Sequence, residues 1–277
     1  MYSLLERVTE QGRVLDLGAG PGSFHYAGFR FFIVGLDSDP ANFGSAPSPG
    51  RVLRMCGTSS HLPFRDRSFA LVICHHSLEH FSSVSATLDE IGRILEPHGS
   101  LFISVPDGAG FTDRLYRLLF AGGGHHSRFR RESLVDEVEQ RTGTHLIRWT
   151  RLYTSFSFVA RRHFVPRPRG LAVPPIPRRI RWLSRLPEGV FVATRLSLNV
   201  CVRWIDRLLG TRYSVYGWAL VFGPKPPGIR EAPGFLNVCS HCGAGHPGAA
   251  LAVKWFFYRC PACKNWNPYF RSTRETL

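Results

Sequence analysis

RVLDLGAGPGSF, Arg13 to Phe24, is the stretch on which the fold turns. Val14, Leu15 and Leu17 read as a buried strand that runs into a glycine turn, after which a helix is expected. A strand–glycine–helix junction brings backbone N–H groups close to a ligand, because glycine permits both the sharp turn and the approach. Gly18, Gly20 and Gly22 are spaced GxGxG, not the GxGxxG of a dinucleotide fingerprint, and Asp16 stands two residues before the first of them. A carboxylate in that place suits a cationic ligand group better than a pyrophosphate.

Working outward, FFIVGLD is a second strand ending in Asp37, 21 residues after Asp16. An acidic strand tip of this kind can accept both hydroxyls of an adenosine ribose. Arg51–Met55 is a short third strand. Leu62–His80 carries a turn over Arg65–Ser68, a buried strand Phe69–Cys74 and a polar helix start. Leu88–Asp107 holds an amphipathic helix (Leu88, Ile91, Ile94, Leu95), a stop at Pro97–Gly99 and a fifth strand, Leu101–Val105. Uninterrupted apolar strands alternating with helices predict an α/β, doubly wound parallel sheet.

Taken in order, DLGAGPG, GLD, LPF…SFALVICHHSLEH and LDEIGRILEPHGSLFISVPD resemble the class I S-adenosylmethionine-dependent methyltransferases of the broad type 11 group, closely over about residues 11–107. The resemblance implies a Rossmann-like sheet of seven strands and S-adenosylmethionine as cofactor. Asp16, Gly18, Gly20 and Gly22 would then surround the methionine part, Asp37 would hold the ribose hydroxyls, and Ser38 would lie beside the adenine. Thr58 stands where such enzymes often place an aspartate, which weakens that contact. His75 and His76 would face the methyl-transfer cleft, and Glu79 and His80 would open the next helix. His76 and His80 are the candidate general bases, needed only if the acceptor arrives protonated. About twelve residues precede the first strand, so a lid of N-terminal helices is not expected.

Past Asp107, FTDRLYRLLF and ESLVDEVEQRTG read as helices, and THLIRWTRLYTSFSFVARR supplies strand six. YSVYGWALVFG supplies the last strand, a hairpin partner. An insertion over about 160–212 carries a Pro/Arg-rich stretch and an amphipathic helix. The net charge of +15 is uneven, since Arg141–Pro187 contains eleven arginines and no acidic residue. Segment 141–187 therefore suits an anionic partner, RNA or a membrane surface, although only three of the basic residues are lysine, as GC-rich coding would also produce. The composition, 44% hydrophobic with 21 Phe, excludes a disordered chain, and no apolar run reaches membrane-spanning length. A cytoplasmic protein is expected, with a peripheral membrane position as an option.

At the far end Cys239/Cys242 and Cys260/Cys263 form CxxC-x17-CxxC. Two such knuckles supply tetrahedral thiolate ligation, the zinc-ribbon pattern, with iron or two disulfides as alternatives. Four thiolates leave no open position, so the metal would be structural. The expected organisation is a methyltransferase domain over 1–235 and a zinc ribbon over 236–277. Three functions follow: methyl transfer to a small-molecule, lipid or glycan acceptor; methylation of RNA or protein, with the ribbon and arginine segment for docking; or a non-catalytic cofactor-fold protein whose ribbon mediates assembly.

Overall fold

The structure, a computed structural model, describes residues 1–277 apart from 25, 44–50, 120–125, 154, 155, 157, 160, 162, 163, 165–177, 225–235, 239–244, 248–250, 255, 256, 262, 263 and 270–277. Its centre is a sheet of seven strands: β1 (Arg13–Leu17), β2 (Phe32–Asp37), β3 (Val52–Cys56), β4 (Phe69–His75), β5 (Leu95–Pro106), β6 (His145–Tyr153) and β7 (Val215–Gly223). Their spatial order is β3-β2-β1-β4-β5-β7-β6. The first five run parallel, and β7 lies antiparallel between β5 and β6. The order reverses at β1, and both neighbours' chains leave the sheet there, so a crevice opens beyond the carboxyl ends of β1 and β4.

The two faces are covered differently. On one, α2 (Val84–Ile94) and α4 (Arg131–Thr142) bury Leu88, Ile91, Leu134 and Val138 against Leu15, Val72 and Ile103. Ser83 caps α2 by accepting the Ala86 N–H, and α4 stops at Gly143 in the left-handed conformation, as its sequence predicts. On the other face a short α1 (Tyr2–Leu5) and an aromatic cluster of Phe24, Tyr26, Phe29 and Phe31 cover Val14, Ile33 and Ile73. The helix expected after the glycine turn is absent, and a three-residue 3-10 turn, Tyr26–Gly28, replaces it. Nine residues separate Gly22 from β2. At about 1.5 Å per residue a helix needs more than that to run back along a five-residue strand of about 16 Å and still turn at both ends. Packed rings cover the sheet in its place, Phe24–Tyr26 edge to face at 4.8 Å and Phe29–Phe31 stacked at 5.1 Å between centroids.

A second correction concerns Pro97–Gly99, which lie inside β5 and do not separate helix from strand. Leu95 pairs with Phe69, and an irregularity between Phe69 and Leu71 absorbs the extra residues, as a bulge does.

Beyond β5, α3 (Phe111–Leu119) and α5 (Glu188–Leu209) form a satellite core, in which Phe156, Phe158 and Phe164 pack on Phe191 and Val202. The amphipathic helix of the insertion thus does bury one face. The C-terminal part holds two small antiparallel sheets, β8 (Leu236–Val238) with β9 (Gly245–Pro247), and β10 (Val253–Lys254), β11 (Phe257–Arg259) and β12 (Trp266–Pro268). Among the described residues no helix is long and apolar enough to cross a membrane.

Candidate functional site

The carboxyl ends of β1, β2 and β4 bring most of the expected site residues together. Asp16, fully buried, accepts the Ser23 N–H at 2.9 Å, the Ser23 hydroxyl at 2.6 Å and the Tyr26 hydroxyl at 2.5 Å. These bonds fold the glycine turn back over the strand tip. Burial, with Asp37 adding to it, nevertheless pushes the Asp16 carboxyl up to about 6. Asp37 accepts the Gly20 N–H at 2.9 Å on one oxygen, and the Asp39 N–H at 3.0 Å and Asn42 Nδ2 at 2.9 Å on the other.

Two of the glycines are required for different reasons. Gly18 has φ +72°, and a Cβ there would lie 2.5 Å from Ser77 Cβ, so strand β1 can leave the sheet beneath Ser77 only without a side chain. Gly20 has φ +52° and meets nothing within 4 Å, so the loop is open beside it. Ser38 and Thr58 are exposed next to this opening. The Ser38 carbonyl accepts the Cys56 thiol at 3.3 Å, and Gly57 N–H, just before Thr58, donates to the Asp37 carbonyl at 3.0 Å.

On β4 the two histidines part company. His75 is joined to the Ser104 hydroxyl at 2.7 Å through Nδ1, and burial, with the N-terminal amino group, pushes its imidazole down to about 4. His75 is therefore a neutral wall of the sheet end. His76 takes φ +52°, and its N–H bonds both the Ser104 carbonyl at 3.0 Å and the Ser104 hydroxyl at 3.1 Å. A non-glycine residue held left-handed by its neighbours is the kind of strain that marks functional positions. Its side chain is 31% exposed although Nδ1 is buried, so the exposed edge is the other one. His80 lies exposed at the end of the 3-10 turn Leu78–His80.

Ser104, Asp113 and Tyr216 escape sequence reading, and Glu79, expected only to open the next helix, also meets His76. Ser104 holds both histidines from β5. Glu79, 1% exposed, sits with Oε1 3.9 Å from His76 Nδ1, and burial together with Asp113 pushes its carboxyl up to about 8. Among the described residues Glu79 Oε2 has no hydrogen-bond partner. Asp113 on α3 is itself engaged by Arg117 at 2.6 Å. Tyr216 on β7 places its ring 5.3 Å from that of His76. A cue for Glu79 existed, its i, i+3 spacing from His76; the contribution of Tyr216 depends on strand pairing across more than a hundred residues. A separate cavity of about 380 Å³, lined by Asp66, Arg93, Glu96 and Thr142 among others, opens at the amino ends of β4 and β5 and shares no residue with this site.

Of the cysteine clamp, Cys239, Cys242 and Cys263 lie outside the described residues. Cys260 is buried; its N–H donates to the Asn265 carbonyl at 2.8 Å and its carbonyl accepts the Lys264 N–H at 2.9 Å, with Lys264 at φ +61°. These bonds end β11. Among the described residues no group of three or more His, Cys, Asp or Glu could hold a metal.

A family model described as a methyltransferase domain matches residues 3–144, just over half of the chain. The chain belongs to this methyltransferase family. A curated relative is the uncharacterized methyltransferase YcgJ of Bacillus subtilis, 29% identical over 99 residues, covering 33% of this chain and 39% of that protein. The chain spans about two-fifths of the length of the first curated relatives it matches. The solved structure of YcgJ superposes with a TM-score of 0.50 at 16% identity, over 82% of this chain and all of that one. Haemonchus contortus phosphoethanolamine N-methyltransferase 2, solved with phosphomonomethylethanolamine and S-adenosylhomocysteine, gives 0.51 at 16% identity, over 81% of this chain and 52% of that one. At such identities the two structures speak for the methyltransferase fold alone.

Proposed function

We propose that this methyltransferase transfers a methyl group from S-adenosylmethionine to a small-molecule, lipid or glycan acceptor at the carboxyl ends of β1, β2 and β4. The observation that carries the reading is the open space at Gly20, whose N–H is held by Asp37, in a turn bound to the buried strand-tip carboxyls Asp16 and Asp37. The residues fit the cofactor: Gly20 lacks the atom that would fill the cradle, and Asp37 uses three of the about four lone-pair sites a carboxylate offers.

When bound, S-adenosylmethionine supplies a methyl group already activated by the sulfonium. Asp37 would orient the ribose hydroxyls, Ser38 and Thr58 would border the adenine, and His75 would close the sheet end. Asp16 and the backbone of Gly18–Gly22 would hold the methionine part. For an acceptor that arrives protonated, the exposed edge of His76 takes the proton as the new bond forms, with Glu79 Oε1 3.9 Å from Nδ1 behind the ring. His80, exposed on the following turn, is the weaker candidate for that role. Most of the acceleration would come from positioning.

The second domain, 236–277, is proposed to be a ribbon folded around a structural zinc held by Cys239, Cys242, Cys260 and Cys263; the knuckle turn at Cys260 supports it.

Isothermal titration tests the cofactor reading. Wild type should bind S-adenosylmethionine at one site, and Asp37→Ala should weaken it by about tenfold to a hundredfold, the worth of charged hydrogen bonds. No binding, or equal binding by the variant, overturns it. Salt-dependent RNA binding that is lost on deleting 236–277 would favour the RNA-directed reading instead.

A further inference from the structure

While one face of α5 packs in the satellite core, a stripe turned away from it is exposed among the described residues. Val190, Cys201, Trp204, Ile205 and Leu208 lie on it and Leu209 adjoins it at the helix end, with Leu208 73% and Leu209 71% exposed. Exposed Ala193, Thr194 and Ser197 complete the stripe, which contains no charged residue. Apolar weight is concentrated at the C-terminal end, where Trp204 is 48% exposed and Tyr213 stacks edge-on with exposed Phe111 at 5.5 Å. Patches of this kind on a folded surface mark contact sites.

Charge identifies the partner. Exposed Arg207 and Arg212 flank the apolar end, exposed Arg114 stands one turn from Phe111, and exposed Arg185 precedes the helix. Exposed Glu188 stands beside Arg185 at the far end of the helix, whereas half-buried Asp206, the acid at the apolar end, is engaged by the Thr211 hydroxyl at 2.7 Å and the Tyr213 and Ser214 N–H groups at 2.7 and 2.8 Å, all of which it accepts. A second copy of the chain would bring a like-charged arginine rim against this one. An anionic surface complements it.

We infer that α5 docks the protein on an anionic lipid surface, its Val190–Leu209 stripe in the interface and its arginines at the headgroups. The helix lies along the membrane and does not cross it. Docking is independent of the methyl-transfer reading, but the two sites are joined. Seven residues carry the chain from Leu209 to Tyr216, at most about 25 Å when extended. Tyr216, whose ring lies 5.3 Å from that of His76, is therefore within that distance of the end of the docked helix.

Full-length protein is sedimented with vesicles of phosphatidylcholine alone and of phosphatidylcholine with phosphatidylglycerol. It should pellet with the second only, and high salt should release it. Leu208→Ser with Leu209→Ser should cut vesicle affinity by at least about tenfold, the loss expected from two leucine side chains. Arg207→Gln with Arg212→Gln should abolish the preference for anionic lipid. Both pairs are exposed, so melting temperature and S-adenosylmethionine binding should stay unchanged. Three results would overturn the inference: no pelleting with anionic vesicles, undiminished pelleting by the serine pair, or a wild-type dimer in sedimentation equilibrium that the serine pair dissociates. RNA binding without vesicle binding would also do so.

Discussion

Two carboxyl groups buried at the carboxyl end of the sheet keep their protons to unusually high pH, Asp16 to about 6 and Glu79 to about 8. In the unfolded chain a glutamate such as Glu79 ionises near 4.5, whereas the folded one holds its proton to about 8. Unfolding thus releases a proton in that interval, and stability present at low pH is lost as pH rises through it. Glu79→Gln should remove that loss, so thermal melts of variant and wild type should diverge with rising pH. The difference near pH 8 is expected to be on the order of a few kcal/mol in favour of the variant. His76→Gln should lower turnover of a protonated acceptor by about 10²- to 10⁴-fold with little change in S-adenosylmethionine binding. Asp16 adds a cofactor effect: below about pH 6 its neutral form no longer attracts a cationic group, and titration calorimetry should show affinity falling there.

At the scale of elements, the glycine turn separates structure from binding. Gly18→Ala drives a Cβ to 2.5 Å from Ser77 at φ +72°, so it should lower the melting temperature and abolish binding. Gly20→Ala meets nothing in the protein at φ +52°; it should cost about 1 kcal/mol of stability while weakening cofactor affinity far more. Strands β1, β2 and β5 were legible as mostly apolar runs closed by Gly, Asp or Pro, and β4 by the unbroken apolar run Phe69–Cys74. The crossover after Gly22 was not, because the glycine pattern suggests a helix whereas chain length decides whether one fits. Asp16, Asp37 and His76 could be picked out as members of local motifs. Ser104 and Tyr216 could not, since they reach His76 only through the β4–β5 and β5–β7 registers.

For the molecule as a whole, the proposed boundary at 235/236 predicts two separable parts. A chain of residues 1–235 should keep S-adenosylmethionine affinity within about twofold, since every proposed cofactor contact lies inside it. Metal analysis of the full chain should find one zinc, and a chelator should remove a melting transition absent from the 1–235 chain. Zinc-free protein with that transition intact would set the ribbon aside.

The place of β7 between β5 and β6 has a consequence for biosynthesis. Leu101, Ile103 and Val105 on β5 pair with Phe222, Leu220 and Trp218, more than a hundred residues later. At about 5–20 residues per second, a ribosome would leave that apolar strand edge unpaired for roughly ten seconds. An open edge of this composition is a template for pairing with other nascent chains. Protein halted at residue 212 should therefore aggregate where the finished chain does not, and the last strand synthesised in the sheet is the one that closes it.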